Sequence, residues 1–417
     1  MHFQYSEKTQ QYLDQLIRFM DEHLVPRIRQ YKQEVKEGKL PVSFMEDLKE
    51  LAKSEGLWNL FLPGLQDDEP GTRLSNLEYA PLAEQMGRIP WSSEVFNCNA
   101  PDTGNMELLH LFATPEQREQ WLNPLLHGKI RSAFAMTEPD VASSDATNIQ
   151  TVIHRDGDEY VVNGRKWFIS NANHPNCKLF IVMGKTDPDN PDRHHQQSML
   201  LVPKDTPGLK VIRNISVMNH HNPNGHCEIT FSQVRVPVAN LLGKEGEGFA
   251  MAQARLGPGR IHHCMRSIGQ AELALEMLLD RAQERKAFGK YLYQQGAVSD
   301  WIAHSRLEIE QARLLVLKTA WMIDQVGAKA AAREISLIKA LIPALHTRVV
   351  NRAIQTFGAM GLSPDTPLAD MWSQGRALHF ADGPDEVHLR KIARMEIQKS
   401  QEKLGHTSVY LTPPERD

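Results

Sequence analysis

The chain has 417 residues, of which 41% are hydrophobic and 24% charged, and its formal net charge is −4 at pH 7. A chain of this length buries about three quarters of its unfolded surface on folding. It is expected to form about two or three domains. The small negative charge and the absence of a Lys/Arg-rich block exclude nucleic acid and an anionic membrane as the main partner.

The N-terminal residues have no basic region followed by an apolar stretch, and no uncharged apolar run approaches the ~20 residues that span a bilayer. We therefore expect neither a signal peptide nor a membrane span. Four cysteines lie far apart without C-x-x-C spacing, which is typical of reduced thiols. These features together predict a cytoplasmic protein.

From Ser6 to about Ile130 the apolar residues recur at three- and four-residue spacing, beginning with Tyr12, Leu16 and Phe19. Prolines and glycines interrupt the pattern at intervals that suit separate helices. Residues 1–130 are thus predicted to form a helical N-terminal domain.

Residues 131–243 have a different sequence pattern, in which short apolar runs are separated by Pro, Gly, Asn and Asp. We expect a small β-barrel or sandwich here. Residues 160–162 and 167–169 flank Asn163-Gly164, and this pattern predicts a hairpin that turns at the Asn-Gly pair.

Long helical patterns return in residues 244–417. One apolar stripe includes Leu275 and Leu278, and a second runs from Ile309 to Ile323 and is expected to end at Gly327 as a C-cap. The predicted fold class is therefore α+β and multidomain, with a helical N-terminal domain, a middle β domain and a C-terminal helical bundle.

Four segments occur in an order that resembles the acyl-CoA dehydrogenase family of flavoenzymes. They are Thr137-Glu138-Pro139, Arg285-Lys286-Ala287-Phe288-Gly289, Gln355 to Gly358, and residues 380–388. The resemblance covers nearly the whole chain and is greatest to the subgroup of family members 10 and 11. It implies a four-helix C-terminal bundle, FAD as cofactor, an acyl-CoA substrate, electron-transfer flavoprotein as acceptor, and a homodimer or homotetramer.

Abstraction of a proton beside a thioester carbonyl needs a positioned carboxylate and a hydrogen-bond donor to the carbonyl oxygen. The resemblance implies that Asp382 is this base, although the family usually has Glu, and that its backbone N–H is a donor. It also places Gly383 and Arg260 against the substrate. Taken alone, residues 382–385 are more typical of an exposed turn, and only their order with the other segments favours a functional role.

The resemblance also implies a set of FAD-binding residues. Pro384 and Glu386 depart from the family's usual Thr and Gln, and Ala359 replaces a Gly. Ser144 is expected to contact the cofactor or the substrate, with Ser143 as the second choice. The implied cofactor-binding residues are Phe134, Met136, Thr137, Ser144, Phe168, Ser170, Arg285, Phe288, Gln295, Gln355, Gly358, Ala359, Pro384 and Glu386.

The leading hypothesis is FAD-dependent α,β-dehydrogenation of a fatty or hydroxy-fatty acyl-CoA. The subgroup also suggests a lyase that eliminates phosphate from a 4-phosphoacyl-CoA on the same flavin site. A non-catalytic flavin or acyl-CoA binding protein is less favoured because the base candidate is present.

A metal site is disfavoured because the histidines lack acidic or Cys partners at ligand spacing. His262 or His263 is instead expected to face an oxygenated group of the substrate. The histidines concerned are His220, His221, His226, His262 and His263.

Overall fold

The computed structural model describes residues 4–219, 222–401 and 403–411. The first part of the chain is helical. Its α-helices are α1 (Glu7–Phe19), α2 (Ile28–Lys36), α3 (Met45–Ser54), α4 (Asn76–Gly87), α5 (Ser92–Val95), α6 (Asp102–Phe112), α7 (Pro115–Gln117) and α8 (Asn123–Leu126).

The start of α1 and of α4 is set by serine caps. The Ser6 hydroxyl accepts a hydrogen bond from the Thr9 N–H, and Ser75 forms a capping box with Glu78. Each cap satisfies an N–H that has no partner inside the helix, so these helices begin where the sequence places a serine.

A mixed sheet of eight strands follows. The strands are β1 (Arg131–Ala135), β2 (Val152–Asp156), β3 (Glu159–Ser170), β4 (Cys177–Lys185), β5 (Gln197–Pro203), β6 (Leu209–Asn214), β7 (His226–Pro237) and β8 (Leu241–Leu242). Their order is β6-β7-β3-β2-β4-β5-β8, and β1 pairs in parallel with β4. One core of this sheet is built around Phe180, Leu200 and Ile229.

The predicted turn at Asn163-Gly164 is wrong. Both residues lie inside β3, and the hairpin with β2 turns instead at Gly157-Asp158, between the paired residues Asp156 and Glu159. Gly164 serves close packing, because a Cβ there would lie 2.3 Å from the Thr151 hydroxyl oxygen.

The last part of the chain is a helical bundle. Its elements are α9 (Gly248–Glu284), β9 (Lys286–Ala287), β10 (Lys290–Tyr291), α10 (Gly296–Ala330), α11 (Ala332–Phe357), α12 (Leu368–Leu378) and α13 (Asp385–Gln401). As expected, the long helix is broken at Gly327, whose φ of 78° and ψ of 161° are non-helical, and a short helical segment follows it to Ala330 within α10.

The bundle is joined tightly to the N-terminal helices. A Cβ at Gly269 of α9 would lie 1.8 Å from the Glu84 carbonyl oxygen, and one at Gly87 of α4 would lie 2.0 Å from the Arg266 carbonyl oxygen. The two glycines therefore let the backbones of α4 and α9 approach each other closely. The order of helices, sheet and helices confirms the predicted fold class.

No helix among the described residues is long and apolar enough to cross a membrane. All four cysteines are free and buried.

Candidate active site

Asp382 lies in the short segment between α12 and α13, and its side chain is only 19% exposed. Its φ is 56°, a left-handed conformation that Asp and Asn adopt more readily than most residues. Arg260 of α9 donates a hydrogen bond from Nε to the Asp382 carbonyl oxygen at 2.9 Å. The segment is a turn, as the alternative expected, but the Asp382 side chain in it is mostly buried.

Lys339 of α11 holds the same segment from the other side. Its side chain is fully buried, and Nζ donates to the carbonyl oxygens of Leu378 at 2.6 Å and Gly383 at 3.4 Å. The Leu378 carbonyl is at the C-terminus of α12, where a cation is favoured by the helix dipole. Lys339 thus ties the end of α12 to the loop that carries Asp382.

The loop is also closed on itself. The His379 Nδ1 lies 2.5 Å from the Asp385 carboxylate, and the Asp385 N–H donates to the His379 carbonyl. Gly383 has a φ of 106°, and a Cβ there would lie 3.0 Å from the His388 ring. Glycine is therefore required at 383 by both backbone conformation and space.

Asp382 is an anion close to several basic groups. Burial raises the pKa of its carboxyl, but His263, Arg255, Arg260 and Lys339 outweigh burial and lower the pKa overall. Burial also lowers the pKa of His263 to about 4, so at pH 7 the positive charges that act on Asp382 are those of Arg255, Arg260 and Lys339. The His263 Nε2 is 3.7 Å from the nearer carboxylate oxygen. Asp382 is consequently ionised at neutral pH, as a general base must be.

Arg255 contacts strand β1 and acts electrostatically on Asp382. Its guanidinium lies 4.0 Å from the centre of the Phe134 ring, and Nε donates to the Asn105 side chain at 2.9 Å. Burial raises the pKa of neighbouring Glu107 to about 8, an effect that Arg255 only partly opposes. Among the acidic groups that act on Arg255, Asp382 has the largest effect, ahead of Glu107 and Asp102.

The predicted flavin-binding segments of β1 and β3 lie side by side. The Trp167 N–H donates to the Thr137 carbonyl at 3.0 Å, and Lys166 donates from Nζ to the carbonyl of Met136 at 2.8 Å. Thr137 is exposed and Met136 half-buried.

Phe168 presents an aromatic ring that is 43% exposed, with a φ of 53°. A ring held outside the core beside exposed polar backbone suits a planar cofactor with a polar edge, so these residues fit the isoalloxazine of FAD. Ser170, at the end of β3, has its hydroxyl 2.9 Å from His226 Nδ1.

The two serines of the 140–145 loop differ in their contacts. The Ser143 hydroxyl accepts a hydrogen bond from the Glu138 N–H at 2.9 Å and lies against the carbonyls of Glu138 and Val141. Ser144 is exposed. Ser143 therefore stabilises its own loop, which leaves Ser144 as the better candidate for a ligand contact.

The remaining predicted residues lie on the surface of the bundle. Arg285 and Phe288 are in the connection between α9 and α10, where Phe288 is 99% exposed, and the Gln295 side chain donates to the Ala287 carbonyl. The residues predicted near the α11 terminus and after the base are also wholly or partly exposed. They are Gln355, Gly358, Ala359, Pro384 and Glu386.

Two residues near Asp382, Arg255 of α9 and Lys339 of α11, were missed as contributors to the site, and nothing in the sequence singles out either one. His263 was one of the two histidines expected to face the substrate. His262 is only 1% exposed and packs its ring edge-on against Phe61 and Tyr79, so His263 is the histidine beside the base.

The structure describes three of the five histidines that were considered as metal ligands. His220 and His221 lie outside the described residues. Within the described part of the chain, no group of three or more His, Cys, Asp and Glu could hold a metal ion.

Comparison with known proteins gives three matches to family models along the chain. They are the acyl-CoA dehydrogenase N-terminal domain at residues 6–129, the middle domain at 133–234 and the C-terminal domain at 246–396.

The chain is 53% identical to the probable acyl-CoA dehydrogenase FadE2 of Mycobacterium tuberculosis over 96% of this chain and 98% of that protein. It is 52% identical to acyl-CoA dehydrogenase family member 11 of Gallus gallus, again over 96% of this chain but only 52% of the relative. The chain thus spans about half the length of that relative.

A solved structure of a putative acyl-CoA dehydrogenase from Mycobacterium abscessus has a TM-score of 0.91 and 48% identity, over 95% of this chain and all of that one. A solved FAD complex of PigA has a TM-score of 0.81 and 27% identity, over 95% of this chain and 99% of that one.

Proposed function

Because the chain belongs to the acyl-CoA dehydrogenase family, we propose that it is a flavoenzyme that removes hydrogen from the Cα–Cβ bond of an acyl-CoA. FAD is the cofactor that the family and the fold support. The observation that carries the proposal is the Asp382 carboxylate, which is largely buried, held on a loop that Arg260 and Lys339 fix, and ionised under the influence of nearby positive charges.

Asp382 is the proposed base that takes the proton from Cα of the thioester. Its low pKa keeps it ionised, Arg260 holds its carbonyl, and Lys339 holds the carbonyl of the next residue, Gly383. Among the described residues the Asp382 N–H has no hydrogen-bond partner, so it is free to donate to the thioester carbonyl oxygen as negative charge develops there. The flavin of bound FAD supplies the hydride acceptor.

The chain's own residues would hold the two ligands on either side of this base. Phe168, Met136 and Thr137 offer a ring and polar groups to the isoalloxazine. Ser144 is free for a contact with cofactor pyrophosphate or with the substrate, and Gly383 and Arg260 line the substrate side of the loop.

Exposed residues at the ends of the bundle helices suit contacts that a second subunit completes. A fully exposed Phe288 beside the exposed Arg285 is unusual on a monomer surface, and a guanidinium suits a pyrophosphate. With Gln295 and the group at Gln355, Gly358 and Ala359, these residues are proposed to bind the FAD of a partner copy in a homodimer or homotetramer. Electron-transfer flavoprotein is the proposed acceptor.

A second candidate is elimination of phosphate from a 4-phosphoacyl-CoA. The observation that favours it is the excess of positive charge at the site, where Arg255, Arg260 and Lys339 all act electrostatically on one carboxylate. Such an excess would stabilise a further anionic group on the acyl chain.

The test is an anaerobic titration of the purified protein with acyl-CoAs of increasing length, together with 4-hydroxy and 4-phosphorylated forms, followed by the visible spectrum of the flavin. Bleaching by a plain acyl-CoA is the expected result for the dehydrogenase. Phosphate release with the flavin still oxidised would favour elimination, and a protein without flavin would contradict both.

The role of the base is tested by Asp382→Asn, which keeps a side chain that tolerates the left-handed conformation. We expect it to bind FAD normally and to bleach about 10²- to 10⁴-fold more slowly. Asp365→Asn, an exposed aspartate of the same domain, is the matched control. Bleaching by Asp382→Asn at the rate of the control would remove Asp382 from this role.

A further inference from the structure

Ser170 and His226 form a cross-strand pair at the end of the sheet. They are directly opposed in the antiparallel pairing of β3 with β7, and the Ser170 hydroxyl oxygen lies 2.9 Å from His226 Nδ1. This pair is joined to the loop before β7, because Asn222 Nδ2 lies 3.3 Å from His226 Nε2. The direction of the hydrogen bonds between Asn222, His226 and Ser170 decides whether the serine O–H is free to be donated elsewhere.

The Asn222 side-chain amide can face the histidine in one orientation only. The backbone N–H of Asn224 donates to Asn222 Oδ1 at 2.9 Å, so the carbonyl oxygen of the amide is already used as an acceptor. The NH₂ group must then point at His226, and Nε2 of the ring must accept from it.

A neutral imidazole that accepts at Nε2 carries its proton on Nδ1. Burial lowers the pKa of His226, so the ring is neutral at pH 7. Its Nδ1–H therefore donates to the Ser170 oxygen, and the Ser170 O–H cannot be donated to the ring. Among the described residues no other group accepts from Ser170, so its O–H can be donated to a bound ligand.

Ser170 is half-buried and lies two residues after the exposed ring of Phe168. We propose that His226 is a positioning residue for the flavin, because it orients Ser170 so that the serine O–H is donated to the polar edge of the cofactor. Asn222 acts one step further away by selecting the ring tautomer. This inference rests on the proposed function, since it assumes that FAD lies at this end of β3.

The experiment is a double-mutant cycle with His226→Phe and Ser170→Ala. For each variant the dissociation constant of FAD is measured by adding FAD to the apoprotein, and the reduction potential of the bound flavin is measured alongside. A hydrogen bond of ordinary strength corresponds to an increase in the dissociation constant of up to about tenfold. We expect His226→Phe and Ser170→Ala each to show this increase and a shift of potential in the same direction.

The expected signature is non-additivity, since His226→Phe should have no further effect once Ser170 is alanine. His226→Asn is expected to recover most of the wild-type affinity, because its side-chain NH₂ can replace Nδ1–H as the donor. His154→Phe, which changes an exposed histidine on β2 of the same sheet, is the matched control.

The outcomes distinguish failure of the His226 positioning role from failure of the proposed function. If His226→Phe weakens FAD binding equally with and without the Ser170 hydroxyl, or leaves affinity and potential unchanged, the positioning role is wrong while the flavoenzyme stands. If the wild-type protein binds no FAD, the proposed function fails together with this inference.

Discussion

Glu107 provides a test of the electrostatics of the site through folding stability. The side chain is 7% exposed, and Oε2 is buried with no hydrogen-bond partner among the described residues. Burial raises the pKa of this carboxyl from 4.5 to about 8, with Arg255 opposing the rise. The folded protein therefore keeps a proton that the unfolded chain releases.

This difference in proton binding sets the direction in which the folding stability changes with pH. Between pH 4.5 and about 8 the unfolded state holds fewer protons at this position, so the stability falls as the pH rises. At pH 7 the loss is about 3 kcal/mol, from the interval of some 2.5 pH units above the ordinary pKa at about 1.4 kcal/mol per unit. Glutamine has the shape of a protonated glutamate and no such dependence.

We expect Glu107→Gln to be about as stable as the wild type near pH 4.5 and more stable by about 3 kcal/mol at pH 7. For a chain of this length that gain corresponds to roughly 4 °C in the unfolding temperature. The assay is thermal unfolding from pH 4.5 to 8, with FAD and protein concentrations held constant because both affect the unfolding temperature.

Glu119→Gln, an exposed glutamate beyond the end of α6, is the control and should show no such trend. A difference between Glu107→Gln and wild type that stays constant across the pH range would refute the reasoning, because only a shifted pKa makes the difference grow with pH.

Three further predictions follow from contacts in the structure. Gly269→Ala should lower the unfolding temperature strongly, since its Cβ would lie 1.8 Å from a backbone oxygen, whereas Gly296→Ala, with open space around it, should not. Ser144→Ala should raise KM or weaken FAD binding without loss of stability, whereas Ser143→Ala should destabilise by about 1 kcal/mol, which calorimetry and kinetics distinguish. Asp382→Glu should lower turnover measurably, because Glu is less suited to a φ of 56° and its carboxylate extends about 1.5 Å further.

Much of the fold could be predicted because the patterns that define it are local. Apolar spacing along residues 6–130 and in the bundle marks helices, and Gly327 ends a helix for a reason that belongs to that residue alone. The hairpin prediction failed because Asn163-Gly164 is an ordinary turn signal, and the close approach of Thr151 that explains Gly164 exists only in the folded sheet.

The residues of the candidate site were likewise predictable only in part. The sequence by itself determined the family resemblance and pointed to Asp382, since the order of short motifs survives without any knowledge of contacts. It could not decide between Ser143 and Ser144, or between His262 and His263, because each pair is adjacent and chemically alike. The structure separates them by burial and by hydrogen-bond partners.

Only the tertiary structure decided the charge environment of the base. Lys339 is 43 residues from Asp382 along the chain (382 − 339), and Arg255 is 127 residues away (382 − 255), yet both act on its carboxylate. Electrostatic interactions depend on distance in space and on burial, neither of which is written in local sequence. The sequence therefore determined which residue is the base candidate, and the packing of α9, α11 and the Asp382 loop keeps it ionised in spite of its burial.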